Sequence, residues 1–121
     1  MLKDAKHAKT VDSRSADEFK FLIGSLIEVQ GWASMHNKGP LIHHLDTSIY
    51  CLDVHGDEQE INVYYHEAAL VIGYIYTPNA LIDIYDFNDA AWIKVYHYKS
   101  GHIGVTNQNE WREYGKYKNN S

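Results

Sequence analysis

The segment Ser48 to His66, SIYCLDVHGDEQEINVYYH, decides how this chain is read. Apolar side chains recur at every second position, at Tyr50, Leu52 and Val54 before Gly56 and at Ile61, Val63 and Tyr65 after it. A period of two is the mark of a strand covered on one face. With Gly56-Asp57 as a two-residue turn, His55 faces Glu58, Leu52 faces Ile61 and Tyr50 faces Val63. Tyr50, Leu52, Val54, Ile61, Val63 and Tyr65 then form the covered face. Asp53, His55, Glu58, Glu60, Asn62 and His66 form the wet one. This register sets Asp53 against Glu60, a like-charge pair that a three-residue turn would remove.

Towards the C-terminus the same reading continues. Glu67 to Tyr76 is apolar and β-branched, which predicts a buried strand. Thr77-Pro78-Asn79 is a turn cluster. Ala80 to Phe87 and Ala90 to Lys99 read as a hairpin about Asn88-Asp89. Ile84 then faces Ile93 and Ile82 faces Val95. On the opposite side Tyr85 faces Trp92, Asp83 faces Lys94, and Tyr96 and Tyr98 extend the aromatic row. Ser100-Gly101 turns the chain into a last strand, 102–107. Trp111, Tyr114 and Tyr117, three residues apart, suggest a short docked helix.

Towards the N-terminus the period changes. Ser15 and Glu18 have the capping-box spacing, and Asp17 and Glu18 suit a first helical turn. Phe19, Leu22, Ile23, Leu26 and Ile27 follow at i, i+3, i+4, i+7 and i+8. The spacing predicts a helix over 16–30, with Gly31 as its stop and the turn cluster 36–40 after it. The expected fold is α+β: an N-terminal amphipathic helix packed on an antiparallel β-meander of about five or six strands. The helix stripe would lie against Ile82, Ile84, Ile93 and Val95. A single domain over 15–117 would carry a flexible tail at 1–14 and a disordered one at 118–121.

Charge is distributed in blocks. Residues 41–93 contain no lysine or arginine and nine acids: Asp46, Asp53, Asp57, Glu58, Glu60, Glu67, Asp83, Asp86 and Asp89. The flanking blocks, 1–40 and 94–121, are +1 and +3, and the whole chain is −5. A field of this sign repels phosphate backbones and attracts basic partners. The chain also carries ten tyrosines and three tryptophans, residues that fit both strands and binding surfaces. A single cysteine, Cys51, rules out an intrachain disulfide. There is no apolar leader and no run long enough to span a bilayer, which predicts a cytoplasmic protein.

No catalytic spacing stands out. His43, His44, His55 and His66 are the metal-ligand candidates, but no H-E-x-x-H or paired C-x-x-C spacing organises them. Cys51 with His55 or His66 and Asp53 supplies the residue types of a nucleophilic triad. Cys51, Asp53 and His55 share one strand, however, with neighbours on a face about 7 Å apart, while a nucleophile and its base must come within about 3 Å. Phosphate-binding glycine loops are missing, and no cofactor is expected. The aromatic residues with the acids around them have the composition of a protein-binding surface. The residues expected to meet a partner are Asp53, Asp57, Glu58, Glu60, Tyr64, Asp83, Tyr85, Asp86, Trp92, Tyr96 and Tyr98. The sequence therefore points to a small acidic binding protein, an inhibitor or immunity protein that neutralises a basic toxin such as a nuclease. It argues against nucleic acid and membrane as partners. Two alternatives stand beside it: a small metal-dependent or acid–base enzyme using clustered His, Asp and Glu, and a structural homodimer.

Overall fold

The computed structural model describes residues 13–30, 32–36, 39–43 and 46–115, with 32–36 and 39–43 known by their backbone alone. Residues 1–12 of the tail expected at 1–14, the tail expected at 118–121, the expected stop at Gly31 and the expected role of Tyr117 lie outside the described residues. Nine strands are described: β1 (Leu26–Val29), β2 (Trp32–His36), β3 (Gly39–His43), β4 (Asp46–Leu52), β5 (Glu58–Tyr64), β6 (Ala68–Ile75), β7 (Trp92–His97), β8 (His102–Asn107) and β9 (Trp111–Glu113). One short helix, α1 (Ile84–Asp89), interrupts them. Seven strands form an antiparallel sheet in the order β5-β4-β8-β7-β6-β1-β9, and β2 and β3 form a separate ribbon. Among the described residues no helix is long and apolar enough to cross a membrane.

The expected N-terminal helix is not there. Glu18 does accept the Ser15 N–H at 3.0 Å, as a capping box requires, but the turn it starts ends after Ala16–Glu18. The i, i+3, i+4 stripe is not buried as a unit. Phe19 and Phe21 are buried, whereas Leu22 and Ile23 are 78% and 59% exposed. Gly24 turns the chain at φ +95°, and Ile27 and Val29 are then buried at a spacing of two in β1. Two short alternating runs fill the core better than one helical stripe, so packing overrides the local period.

The hairpin expected at 80–99 is also replaced. Asp83 caps α1, its Oδ1 accepting the Tyr85 N–H at 2.8 Å, and only Phe87 of the helix is buried. Strand β7 pairs instead with β6 and β8, with Trp92 opposite Ile75 and Asn107. The contacts of Ile84 with Ile93, Ile82 with Val95, Tyr85 with Trp92 and Asp83 with Lys94 are therefore not ladder pairs. The tail forms a 3-10 turn at Gln108–Glu110 and the strand β9, not a docked helix.

The sheet must curl. Its order puts β5 four strands from β6, about 19 Å away in a flat sheet. Yet Tyr64 is joined to Ala68 by three residues, which reach at most about 14 Å. The link is a tight turn, with the Glu67 N–H donating to the Tyr64 carbonyl at 3.0 Å. Curling encloses Ile27, Val29, Ile49, Val63, Val71, Ile93, Val95 and Trp111 as the main core. A hydrogen-bond relay crosses it: Trp111 Nε1 donates to Thr106 Oγ1 at 3.0 Å, which donates to the Ser48 carbonyl at 2.9 Å. Where β4 crosses β8 the backbones nearly touch, and a Cβ at Gly104 would sit 2.8 Å from the Tyr50 carbonyl oxygen. A second, smaller core lies on the outer face, where Ile82 and Phe87 cover Trp92 and Val105 beside Tyr50 and Ile75.

Candidate functional site, an acidic aromatic cleft

The turn after β4 sets the site. Leu52 pairs with Glu58, so five residues, 53–57, make the turn. Asp53 holds it, its Oδ1 accepting the N–H groups of His55 and Asp57 at 2.9 Å each, and Gly56 supplies φ +82°. The register moves accordingly from the one expected. Tyr50 faces Glu60 and Leu52 faces Glu58, so the like-charge opposition of Asp53 and Glu60 never arises. Tyr50 leaves the apolar set it was expected to share with Ile61 and Val63. It stands on the outer face, in the same rows as the β5 acids.

A cleft opens there between β4, β5 and the segment leading into α1. It has a volume of about 380 Å³ and is lined by Tyr50, Glu58, Leu81, Asp83, Asp86 and Trp92. A neighbouring hollow of about 240 Å³ shares Tyr50, Asp86 and Trp92 and adds Ser48, Asn107 and Glu110. Every described charged residue lining either hollow is acidic. The rings of Tyr50 and Trp92 lie 6.1 Å apart at 49°. Trp92 Nε1 donates to the Asp86 carbonyl at 3.3 Å, which ties the indole to α1 and holds the Asp86 residue at the mouth. Ser48 Oγ donates to Glu60 Oε2 at 2.6 Å and orients that carboxylate. Burial pushes the Tyr50 phenol above its ordinary pKa, and the negative field of Glu60, Asp86 and Glu58 pushes it further. The cleft is thus an electronegative hollow walled by the half-buried Tyr50 ring and the edge of Trp92, which is 6% exposed, and it suits a cation.

The residues expected at a partner surface divide into groups. Glu58, Asp83, Asp86 and Trp92 line the cleft, and Glu60 adjoins it through its pairing with Tyr50. Tyr85 is 61% exposed on α1, and Asp53 and Asp57 sit in the neighbouring turn. Tyr96 and Tyr98, with rings 5.0 Å apart and edge to face, are at the other end of β7. Tyr64 is exposed at the far end of β5. The single aromatic row is therefore split, with Tyr85 removed to the helix. Tyr50, Ser48 and Glu110 complete the site and were not foreseen. An Asp followed by Gly-Asp at the turn was the signal for the wider loop that would have moved Tyr50 outward.

The metal candidates do not converge. His55 and His66 are exposed in separate turns, the side chain of His43 and all of His44 lie outside what is described, and no described group of three or more His, Cys, Asp or Glu could hold a metal ion. Cys51 is buried on the inner face, and burial followed by the nearby Asp53 raises its thiol pKa. A buried chain of polar groups with the residue types of a triad lies elsewhere. His97, 1% exposed, contacts Ser100 Oγ through Nδ1 at 2.8 Å and Glu67 Oε1 through Nε2 at 2.9 Å. Nucleophile, base and acid types are all present. But the imidazole is sealed in the core, and Ser100 Oγ also accepts the His102 N–H within the β7–β8 turn. The chain pins a hairpin to the turn after β5.

Comparison with protein families, characterised proteins and solved structures finds no match for this chain.

Proposed function

We propose that the protein is a small acidic binding protein that captures a basic protein partner in the Tyr50–Trp92 cleft. The case it fits best is an inhibitor or immunity protein that neutralises a basic toxin such as a nuclease. One observation carries this reading: all the described charged residues lining the cleft are acids, and they frame the Tyr50 ring where it packs beside Trp92. A lysine or arginine entering it meets carboxylates and the half-buried Tyr50 ring, with Trp92 packed beside that ring, which favours fast capture by the field and slow release by the anchor. A nuclease active site is basic because it must hold phosphates, so the same field that draws it would exclude its substrate.

The test is co-purification from native lysate, comparing the wild-type protein with an E58K/D86K variant. The expected result is one basic protein held in stoichiometric amount at low salt, weakened by high salt and lost from the variant. Retention of no basic protein, or retention indifferent to the charge reversal, would overturn the proposal.

A further inference from the structure

The edge of the sheet next to the cleft has no covering strand among the described residues. Strand β5 pairs with β4 along its whole length, and β4 is its only partner among the described strands. The direction of its backbone groups follows from its last residue. Tyr64 donates its N–H to Glu67 Oε1 at 3.1 Å and accepts the Glu67 N–H at its carbonyl, so its backbone points away from β4. In an antiparallel ladder this direction repeats every second residue. The N–H and C=O groups of Asn62, Glu60 and Glu58 therefore face the open edge. All three residues are exposed, and their side chains share the outer face with Tyr50.

Natural sheets blunt such edges with charged side chains, lysine above all, or with proline, a bulge or a covering segment. The β5 sequence, Glu-Gln-Glu-Ile-Asn-Val-Tyr, has no lysine or proline, and its pairing with β4 runs without a register shift. It has two acids instead. Those acids select what can pair. The twofold register that joins all three free positions to a second copy is centred on Glu60 and sets Glu60 against its own copy, an unfavourable opposition. An extended strand with lysine or arginine at alternate positions meets the reverse situation. Its backbone would satisfy the edge while its cations stood over Glu58 and Glu60 beside the cleft.

We infer that β5 is a docking edge for an extended, alternately basic segment of the partner, which adds to the sheet as an eighth strand. This rests on the proposed capture of a basic partner and specifies how it is held.

The test uses an acetylated, amidated heptapeptide of alternating lysine and threonine, and two versions of it, one N-methylated at its lysines and one at its threonines. In a strand, alternate residues direct their amides to opposite edges, so only one series should block pairing. Binding to the full chain is followed by fluorescence anisotropy of a labelled peptide, and protection of the Glu58, Glu60 and Asn62 amides by hydrogen exchange. The expected result is a loss of at least about tenfold for one series and near-unchanged binding for the other, with the three amides becoming protected. Loss in the lysine series indicates antiparallel addition, and loss in the threonine series indicates parallel addition. Equal binding of all three peptides would overturn strand addition and leave the acidic-face reading intact. Binding of none, while a basic protein is still retained by the acidic face, would also overturn strand addition alone. Binding of none, with no basic protein retained, would overturn both. A doubled mass with these amides protected before any peptide is added would overturn it in favour of a second copy.

Discussion

Gly104 should be among the least replaceable small residues in this chain. It lies where β4 crosses β8, and a Cβ added there would be 2.8 Å from the Tyr50 carbonyl oxygen and 3.2 Å from Ile49 Cβ. The nearer neighbour is backbone and cannot rotate away, so β4 would have to move by about half an ångström against a close-packed core. Overpacking of this kind costs roughly 1–3 kcal/mol, and about 2 is expected for Gly104→Ala. With an unfolding entropy of about 2.1 cal/mol/K per residue, that is a fall of about 8 °C in Tm. Gly73→Ala is the matched control. Its Cβ would lie 3.7 Å from Lys94 Cβ, an ordinary contact, and its φ is not in the left-handed region. It should be neutral or stabilising by up to about 1 kcal/mol through the unfolded chain. Thermal and urea unfolding of both variants tests the argument. Equal stability of the two, or a Gly104→Ala loss below about 0.5 kcal/mol, would show that the β4–β8 crossing does not have the closeness described.

His66 takes φ +75° at the third position of the Tyr64–Glu67 turn, where a side chain costs roughly 1–2 kcal/mol. His66→Gly should therefore hold or raise stability by about 0.5 kcal/mol after the entropy glycine adds to the unfolded chain. A loss in calorimetry would show that the 3.9 Å ring contact with Tyr65 outweighs the strain. Burial pushes the Glu67 carboxyl up, but the Tyr64 N–H, the His97 contact and the charges of His97 and Lys99 outweigh it, leaving its pKa below 4.5. A depressed carboxylate stabilises the fold above its unfolded pKa, and the contribution is lost as pH falls through the folded value. Stability should drop through and below pH 4.5, and Glu67→Gln should flatten that limb; an unchanged acid limb would refute the pin. Tyr50, held above its ordinary pKa of 10.0 by burial and then by Glu60, Asp86 and Glu58, should ionise late in an ultraviolet titration. Its contribution is fully present below the unfolded pKa and lost as pH rises through the folded one. Glu58→Gln and Asp86→Asn should each bring the Tyr50 transition down, and no movement in either would mean that the cleft is not electronegative.

The strands were legible where burial falls on one face. Ser48 to Leu52 and Gln59 to Tyr64 alternate because one side packs on the core and the other meets water, and both form strands. What alternation could not fix was register, because that depends on how many residues the turn absorbs. Asp53 accepting two backbone N–H groups makes a five-residue loop, which shifts Tyr50 by one face. The N-terminal stripe misled for a different reason. Phe19, Leu22, Ile23, Leu26 and Ile27 satisfy a helical period, but Phe21 and Val29, which fall outside the stripe, are buried while Leu22 and Ile23 are not. At Ala80 to Phe87 alternation again suggested a strand. The cap at Asp83 with Asp86 in the first turn carried the competing signal, and the helix follows it. The acids at Glu58, Glu60, Asp83 and Asp86 were identifiable as candidates from their charge block alone. Their convergence was not, because Asp83 and Asp86 arrive on a helix that the alternation hid.

The main core and the acids of the candidate site occupy opposite sides of the same strands, and this decides how the two can vary. The inner positions of β4, β5 and β7, such as Ile49, Val63, Ile93 and Val95, are fully buried and hold the curled sheet together. The outer positions next to them carry Tyr50, Glu58, Glu60 and Trp92. Asp83 and Asp86 have a folding role as the cap and first turn of α1, but setting them against Glu58 and Glu60 round one hollow, with no basic side chain among the described lining residues, adds repulsion. Leaving β5 exposed adds a second cost, since an open edge invites unwanted pairing. Each could be relieved by a lysine at 58 or 60 without touching an inner residue. Glu58 and Glu60 keep both costs side by side on exposed positions that the core does not constrain, and capture of a basic partner as proposed would offset them.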